Sequence, residues 1–469
     1  MNNARFLGLT IAFLIILAGF YLAFRWLNLP VFEDLTLRIP SSEKVEGLKL
    51  PEETGKKIEA GGLIKGAGIP SEEKGSWPKF RGPAGDGTSA ETGLIKKIPP
   101  AGLPILWRVK TGEGYAGPVI NMGRVYLIDY DKEAKQDSIR CLSFKTGEEI
   151  WKYNYPVKIK RNHGISRTVP AVNDKYLVTI SPMCQVTCLK AATGEMLWKK
   201  DLVKEFGTKV PEWYAGQCPI IEGDKVILAP GGSEVLLMAV ELATGKITWT
   251  VKNPGDYKMT HSSVAILDFK GERQYIYCAT QGVVSVSAKT GEILWLDPTW
   301  KINIANVPTP VIVDTDKILF TGGYDAGAKY VQVVKDESEG KYKIKELFKV
   351  KASVFSSQQH TPVYYQGSFY GVIQDGQLAC VDQAGKQLWK SGGEKKFGLG
   401  PFFIADGMLL VLNDTSGYLY LVEAGTGGYN EFGKAKVFNG HEAWAPMALA
   451  DGKLILKDLT ELVCVRLKP

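Results

Sequence analysis

The feature that most constrains this chain is a Gly-containing turn followed four residues later by tryptophan, repeated along its length. Thr146-Gly147 precedes Trp151, Thr193-Gly194 precedes Trp198, and Thr244-Gly245 precedes Trp249. Thr290-Gly291 precedes Trp295, and Ala384-Gly385 precedes Trp389. The tryptophans are 47, 51, 46 and 94 residues apart, the last interval being twice the first. A fixed period in the forties, with alternating apolar residues and turns on both sides, implies the four-stranded blades of a β-propeller. A helix is excluded because the alternation has period two and is broken by a turn every few residues. The Thr-Gly pair supplies the positive backbone angle of a tight hairpin. The tryptophan behind it is large enough to fill the wedge between neighbouring blades near their outer edge.

Innermost strands are expected to start near Tyr115, Arg167, Ala215, His261, Val307, His360, Leu399 and Trp444, which makes eight blades. The last repeat, 444–467, stops one strand short. The stretch Ile105 to Val109, centred on Trp107, resembles the outermost strand of the other blades. Pairing it with the last blade would close the ring and remove two exposed edges. The expected fold is therefore an all-β, eight-bladed propeller over 104–469, closed by its N-terminal strand and monomeric. Blades five and seven lack the full turn motif.

Ahead of the propeller, residues 6–24 carry no charge and, as a helix, would rise roughly 29 Å, enough to cross a hydrocarbon core. Arg5 precedes the stretch, and Arg25 and Trp26 follow it as interfacial anchors. No small-residue cleavage site follows Phe24, so residues 1–27 are expected to be an uncleaved transmembrane anchor with the body outside the cytoplasm, in the periplasm. Residues 28–76, rich in Pro, Gly, Glu and Lys, are expected to be a flexible linker. Residues 77–103 are expected to be an approach segment packed along the propeller wall, with Trp77 and Arg81 in it. The net charge of +7 is spread among mixed charges with no basic stripe, which argues against nucleic acid as a partner. Cys141, Cys188, Cys380 and Cys464 fall at equivalent places in different repeats, so they read as small buried hydrophobes. A Cys184–Cys188 disulfide across one hairpin stays open.

The repeat, Ala-x-x-Thr-Gly-x-x-x-Trp, resembles that of the pyrroloquinoline-quinone propellers of the quinoprotein alcohol dehydrogenase-like superfamily. It also resembles the bacterial propeller lipoprotein that helps assemble outer-membrane proteins. A closer likeness is to bacterial secreted or anchored propellers that open on a Trp-Pro-x-aromatic-Arg-Gly-Pro segment, here Trp77 to Pro83. The likeness covers roughly 77–469. It implies either a binding or scaffold module, with a protein partner on one face or a small ligand at the channel mouth, or an oxidoreductase acting on an alcohol or sugar. The second would bring pyrroloquinoline quinone with Ca²⁺, which needs a carboxylate base and carboxylate or amide oxygens for the metal. In that family a pair of adjacent cysteines clamps the quinone ring, and this chain has no adjacent pair. Asn306, Glu212 and Glu442 are the candidate oxygens, and Trp213 or Trp444 the candidate stacking plate.

Ligands of propellers sit where loops enter the innermost strands, and all four histidines fall there. The candidate mouth residues are Tyr115, His163, Arg167, Tyr214, His261, Asn306, His360, His441 and Trp444. Imidazole, guanidinium, amide and aromatic groups together suit an anionic or carbonyl-bearing ligand. The plainer alternative is a narrow mouth whose polar side chains hold ordered water. A metal site is not expected, because the histidines belong to non-adjacent blades and lack close ligand spacing.

Overall fold

The computed structural model describes residues 17–19, 21, 61–160, 164–440 and 442–469. The residues from 61 onward belong to one unit, Ile58–Pro469. In it the described strands form eight sheets, with antiparallel blades at 119–156, 171–201, 220–252, 265–297, 311–350, 363–390, 402–436 and 448–466. Innermost strands of most successive blades touch, and Ala448–Ala450 of blade eight returns to Val119–Asn121 of blade one. The ring is closed as expected. Ile105–Lys110 is the fourth strand of blade eight, antiparallel to Glu461–Arg466, with Trp107 opposite Cys464.

Middle strands are buried along both faces because each blade is covered by a neighbour on either side; Met408–Leu412 and Gly282–Ser287 are buried throughout. Outermost strands keep the alternation, as in Ile247–Lys252. The repeat tryptophan lies on the outermost strand, opposite a small residue: Cys141 faces Trp151, Cys188 faces Trp198, Ala239 faces Trp249, Ser285 faces Trp295 and Cys380 faces Trp389. All seven cysteines are free and buried, so Cys184 and Cys188 are thiols.

The turn glycines carry φ of 73° at Gly147, 75° at Gly194, 74° at Gly245 and 76° at Gly291. Each also serves as the seat for the preceding blade's tryptophan. A Cβ at Gly147 would stand 2.8 Å from the Trp107 ring, one at Gly194 2.6 Å from Trp151, and one at Gly245 2.7 Å from Trp198. The indole N–H of Trp107 donates to the Phe144 carbonyl at 3.1 Å, and that of Trp198 to Leu242 at 2.8 Å. The motif is thus a clamp between blades, with ring and glycine supplied by neighbours. Blade seven has Gly433 where the tryptophan would be, and Ile98 from the approach segment packs onto it at 3.1 Å from the Cβ position.

At the hub, a proline precedes the innermost strand in seven blades: Pro118, Pro170, Pro219, Pro310, Pro362, Pro401 and Pro446. A missing N–H is tolerated there because the innermost strand is a sheet edge. Next to these prolines runs a chain of side-chain acceptors. The Val169 N–H donates to Cys218 Sγ (3.2 Å), Cys218 to Ser263 Oγ (2.9 Å), Ser263 to Thr309 Oγ1 (3.2 Å) and Thr309 to Thr361 Oγ1 (2.9 Å). Five blades are laced together this way.

Two expectations need correction. The stretch expected to be linker up to residue 76 is ordered from residue 61: Gly62–Lys65 adds a fifth, outermost strand to blade one, paired with Glu149–Pro156. An unpaired edge is costly, and Leu63 and Ile64 give the segment strand character. The approach segment, in turn, packs on the blades only in its later part, where the Ile95 N–H donates to the Leu467 carbonyl at 2.8 Å and Ile98 covers Gly433; its first part, 77–89, enters the channel. Trp77 exchanges backbone bonds of 2.8 and 2.9 Å with Ile120, and Val172 N–H donates to Pro78 at 2.8 Å. Thr88–Ser89 pairs in parallel with Phe402–Ala405. The segment thus touches innermost strands of blades one, two, six and seven and plugs the hub. Trp77 is buried at the centre against Phe403, with ring centroids 5.1 Å apart. The expected anchor, 6–24, lies outside the described residues except for Leu17, Ala18, Gly19 and Tyr21. Among the described residues no helix is long and apolar enough to cross a membrane.

Candidate functional site

The candidate mouth residues precede the innermost strands by a few positions, whereas the plug contacts those strands along their length and at their exit ends. The two meet at blade six, where Arg81 of the plug donates to the Thr361 carbonyl and His360 lines a small pocket with Trp77, Phe80 and Arg81. His163 and His441 lie outside the described residues.

Tyr115, Arg167 and Trp444, from blades one, two and eight, meet. The Tyr115 and Trp444 rings lie 4.6 Å apart at 34°. The Arg167 guanidinium sits 5.0 Å from the Tyr115 ring centroid, a cation–π contact. The Tyr115 hydroxyl donates to Glu442 at 2.9 Å and accepts from the Gly164 N–H at 3.2 Å. Burial raises the Tyr115 phenol well above its ordinary range, so it stays a neutral donor to that carboxylate. Arg167 Nε donates to the Trp213 carbonyl, while its Nη2 is buried without a partner. Burial lowers the guanidinium to about 10, still fully charged at neutral pH.

Tyr214 turns away, its hydroxyl donating to the Lys160 carbonyl. His261 faces the Trp213 ring at 6.4 Å and donates its backbone N–H to the Asn306 carbonyl at 3.1 Å. The Asn306 side chain is buried with neither Oδ1 nor Nδ2 hydrogen-bonded. His360 lies beside Trp444, Leu399 and Asp414, its ring 6.4 Å from Phe402, with Nε2 buried and unpartnered among the described residues. Burial lowers His261 and His360 to about 4, so both are neutral imidazoles at pH 7.

Two groups at this end were not anticipated. Asp414 accepts from the Trp444 indole N–H (3.0 Å), the Leu399 N–H (2.9 Å) and Thr415 Oγ1 (2.9 Å). Lys457 is buried and donates to the carbonyls of Gly114 (2.7 Å), Asp458 (3.0 Å) and Leu459 (3.1 Å). Asp414 lies in the turn between the second and third strands, and Lys457 at the end of a second strand. Those positions share a face with the entry loops, so the polar run Asn413 to Ser416 was the available signal.

With this geometry in view, the comparisons can be placed. The family described as outer membrane protein assembly factor BamB matches residues 135–383, more than half of the chain. The chain belongs to the BamB family. Solved structures similar to this BamB-family chain share its fold. BamB from Moraxella catarrhalis is 13% identical, with a TM-score of 0.52, and the match covers 78% of this chain and 99% of that one. A europium-containing methanol dehydrogenase is 13% identical with a TM-score of 0.59, covering 82% and 90%. The quinohemoprotein alcohol dehydrogenase from Comamonas testosteroni is 12% identical with a TM-score of 0.57, covering 84% and 80%. No curated protein sequence matches.

The dehydrogenase relatives raise the question whether this BamB-family propeller has the residues for a quinone with Ca²⁺. Its described residues do not bring those pieces together. Tyr115 and Trp444 cover each other instead of framing a slot, and the carboxylates of Glu442 and Asp414 are engaged by those two residues. Among the described residues no three His, Cys, Asp or Glu side chains gather as metal ligands. Four of the cysteines, Cys141, Cys188, Cys380 and Cys464, pair in register with tryptophans rather than with each other.

Proposed function

We propose that this protein is a membrane-tethered, extracytoplasmic propeller that acts as a binding and scaffold module, holding a protein partner or small ligand at the entry mouth of its channel. One observation carries the reading. Arg167 Nη2, both polar atoms of Asn306 and His360 Nε2 are buried at that mouth with no hydrogen-bond partner among the described residues. A buried polar group left unsatisfied costs about 1–3 kcal/mol, so such a set favours an occupant supplying carbonyl or carboxylate acceptors and a polar hydrogen. The match to an outer-membrane assembly factor family supports a partner-holding role. The charge-free stretch 6–24 and its flanking anchors support the tether.

Short peptides with a free carboxyl terminus, titrated into the full-length chain in detergent, test the mouth. They should raise the melting temperature of the wild-type protein and not that of Arg167→Met or Asn306→Ala. Equal shifts in all three would end the reading. Pyrroloquinoline quinone with Ca²⁺ should leave no bound chromophore and support no alcohol-dependent dye reduction. A bound quinone with turnover would establish the oxidoreductase instead. Alkaline phosphatase fused at the C-terminus should be active if the body lies outside the cytoplasm.

A further inference from the structure

The plug does not fill the hub. Between it and the innermost strands of blades three, four and five lies a cavity of about 290 Å³. The walls are mostly apolar, with Phe80 and Ala84 from the plug and Ile220, Val264, Ile266 and Ile312 from the blades. None of the candidate mouth residues lines it.

Two observations indicate what it receives. The first is the state of the strand edges. In blade one the channel-facing edge is taken by Trp77, in blade two by Pro78 and in blade seven by Thr88–Ser89. In blade six the carbonyls of Thr361 and Pro362 accept from Arg81 at 3.0 and 2.9 Å. Ile220–Glu222, Ala265–Phe269 and Val311–Val313 have no such cover and end their sheets on the channel side among the described residues. Exposed N–H and C=O groups on such edges are templates for an added strand. The molecule already uses that mode on its own segment.

The second observation is Lys79. Its side chain lines the cavity, is half-buried, and makes no hydrogen bond or ion pair among the described residues. Burial lowers its pKa, a cost that the Glu222 and Asp86 carboxylates offset only in part. A partly desolvated ammonium with free donors is best stabilised by a carboxylate in direct contact.

We propose that this cavity is a second binding site, for an extended apolar peptide segment that adds to the open edges of blades three to five and sets a carboxylate against Lys79. At about 290 Å³ the cavity admits a few side chains and not a folded element. The site is independent of the mouth.

Fluorescence anisotropy on the full-length chain tests it, with a labelled, C-terminally amidated Val-Thr-Val-Glu-Val-Thr-Val peptide, which lacks the free carboxyl terminus the mouth takes, and its counterpart carrying glutamine for glutamate. The glutamate peptide should bind about tenfold tighter, and Lys79→Gln should abolish that difference. Ala84→Trp, at an exposed position that lines the cavity, should weaken both peptides by about tenfold or more. Arg167→Met, at the mouth, should change neither, so failure here is distinct from failure of the mouth. Thermal melts establish that each variant is folded, and if Lys79→Gln is not, Ala84→Trp decides. No binding of either peptide, or affinities unchanged in the folded variants, overturns the proposal. Displacement by hexanoate as effective as by unlabelled peptide would assign the site to a small carboxylic acid and overturn the peptide class.

Discussion

Arg81 shows how much one side chain can hold when its charge has no counter-ion. Its guanidinium donates to Gly85 (3.1 Å), Asp86 (2.6 Å), Thr361 (3.0 Å) and Pro362 (2.9 Å), all backbone carbonyls. It sits at φ 66°, and burial lowers it to about 10. Arg81→Met should cost about 3 kcal/mol or more, because four carbonyls lose their donor at once. Arg81→Lys should recover little, since an ammonium lacks the planar fork. Urea unfolding of the three proteins checks both. The mouth histidines make a second prediction. Unfolded, they titrate near 6.5, and folded near 4, so on acidification the unfolded chain takes up protons first. Their contribution is complete above about pH 6.5 and is lost as the pH falls towards 4, about 1–3 kcal/mol for each. His261→Gln and His360→Gln should flatten that acid limb in melting temperature against pH. The histidines' positions were legible in the sequence, but not their neutrality, which comes from neighbours on other blades.

At the scale of the element, the Thr-Gly turn has two requirements that the sequence presents as one. A positive φ is local chemistry and could be read from the hairpin. The seat for a neighbour's tryptophan is a contact across the blade boundary and could not. Two glycines separate them: Gly194, φ 75°, lies under Trp151, whereas Gly407, φ 73°, has nothing near its Cβ position. Gly407→Ala should cost about 1 kcal/mol of backbone strain. Gly194→Ala should cost about 1–3 kcal/mol more, because the new methyl overpacks the indole. Chemical denaturation of the two variants side by side measures the clamp. The same reasoning explains blade seven. Gly433 offers no tryptophan, and nothing in its own repeat indicates that Ile98, more than three hundred residues earlier, fills the place.

The unit Ile58–Pro469 carries a ring whose seam joins Ile105–Lys110 to Glu461–Arg466. Trp107 sits at that seam twice over, paired with Cys464 in blade eight and docked on Gly147 of blade one. Trp107→Ala should lower stability by about 3–5 kcal/mol, as for other buried aromatics. Because the seam is shared, calorimetry should show the main unfolding transition move down as a unit, with no separate loss of one blade. Retention of a single unchanged transition would show that the seam is not coupled to the ring.

The period, the blade count and the closing strand followed from the sequence alone, because each blade repeats the same local rules of alternation and turn. The prolines ahead of seven innermost strands carried the same information and mark the channel edge. What the order of residues could not state is which distant pieces share the hub. Trp77 and Arg81 are framed by glycines and prolines that suit a surface path as well as a buried one, and only the ring, once closed, creates a channel narrow enough to bury them. The meeting of Tyr115, Arg167 and Trp444 has the same origin. Their blades become neighbours by curvature of the whole assembly, a property that no window of sequence contains.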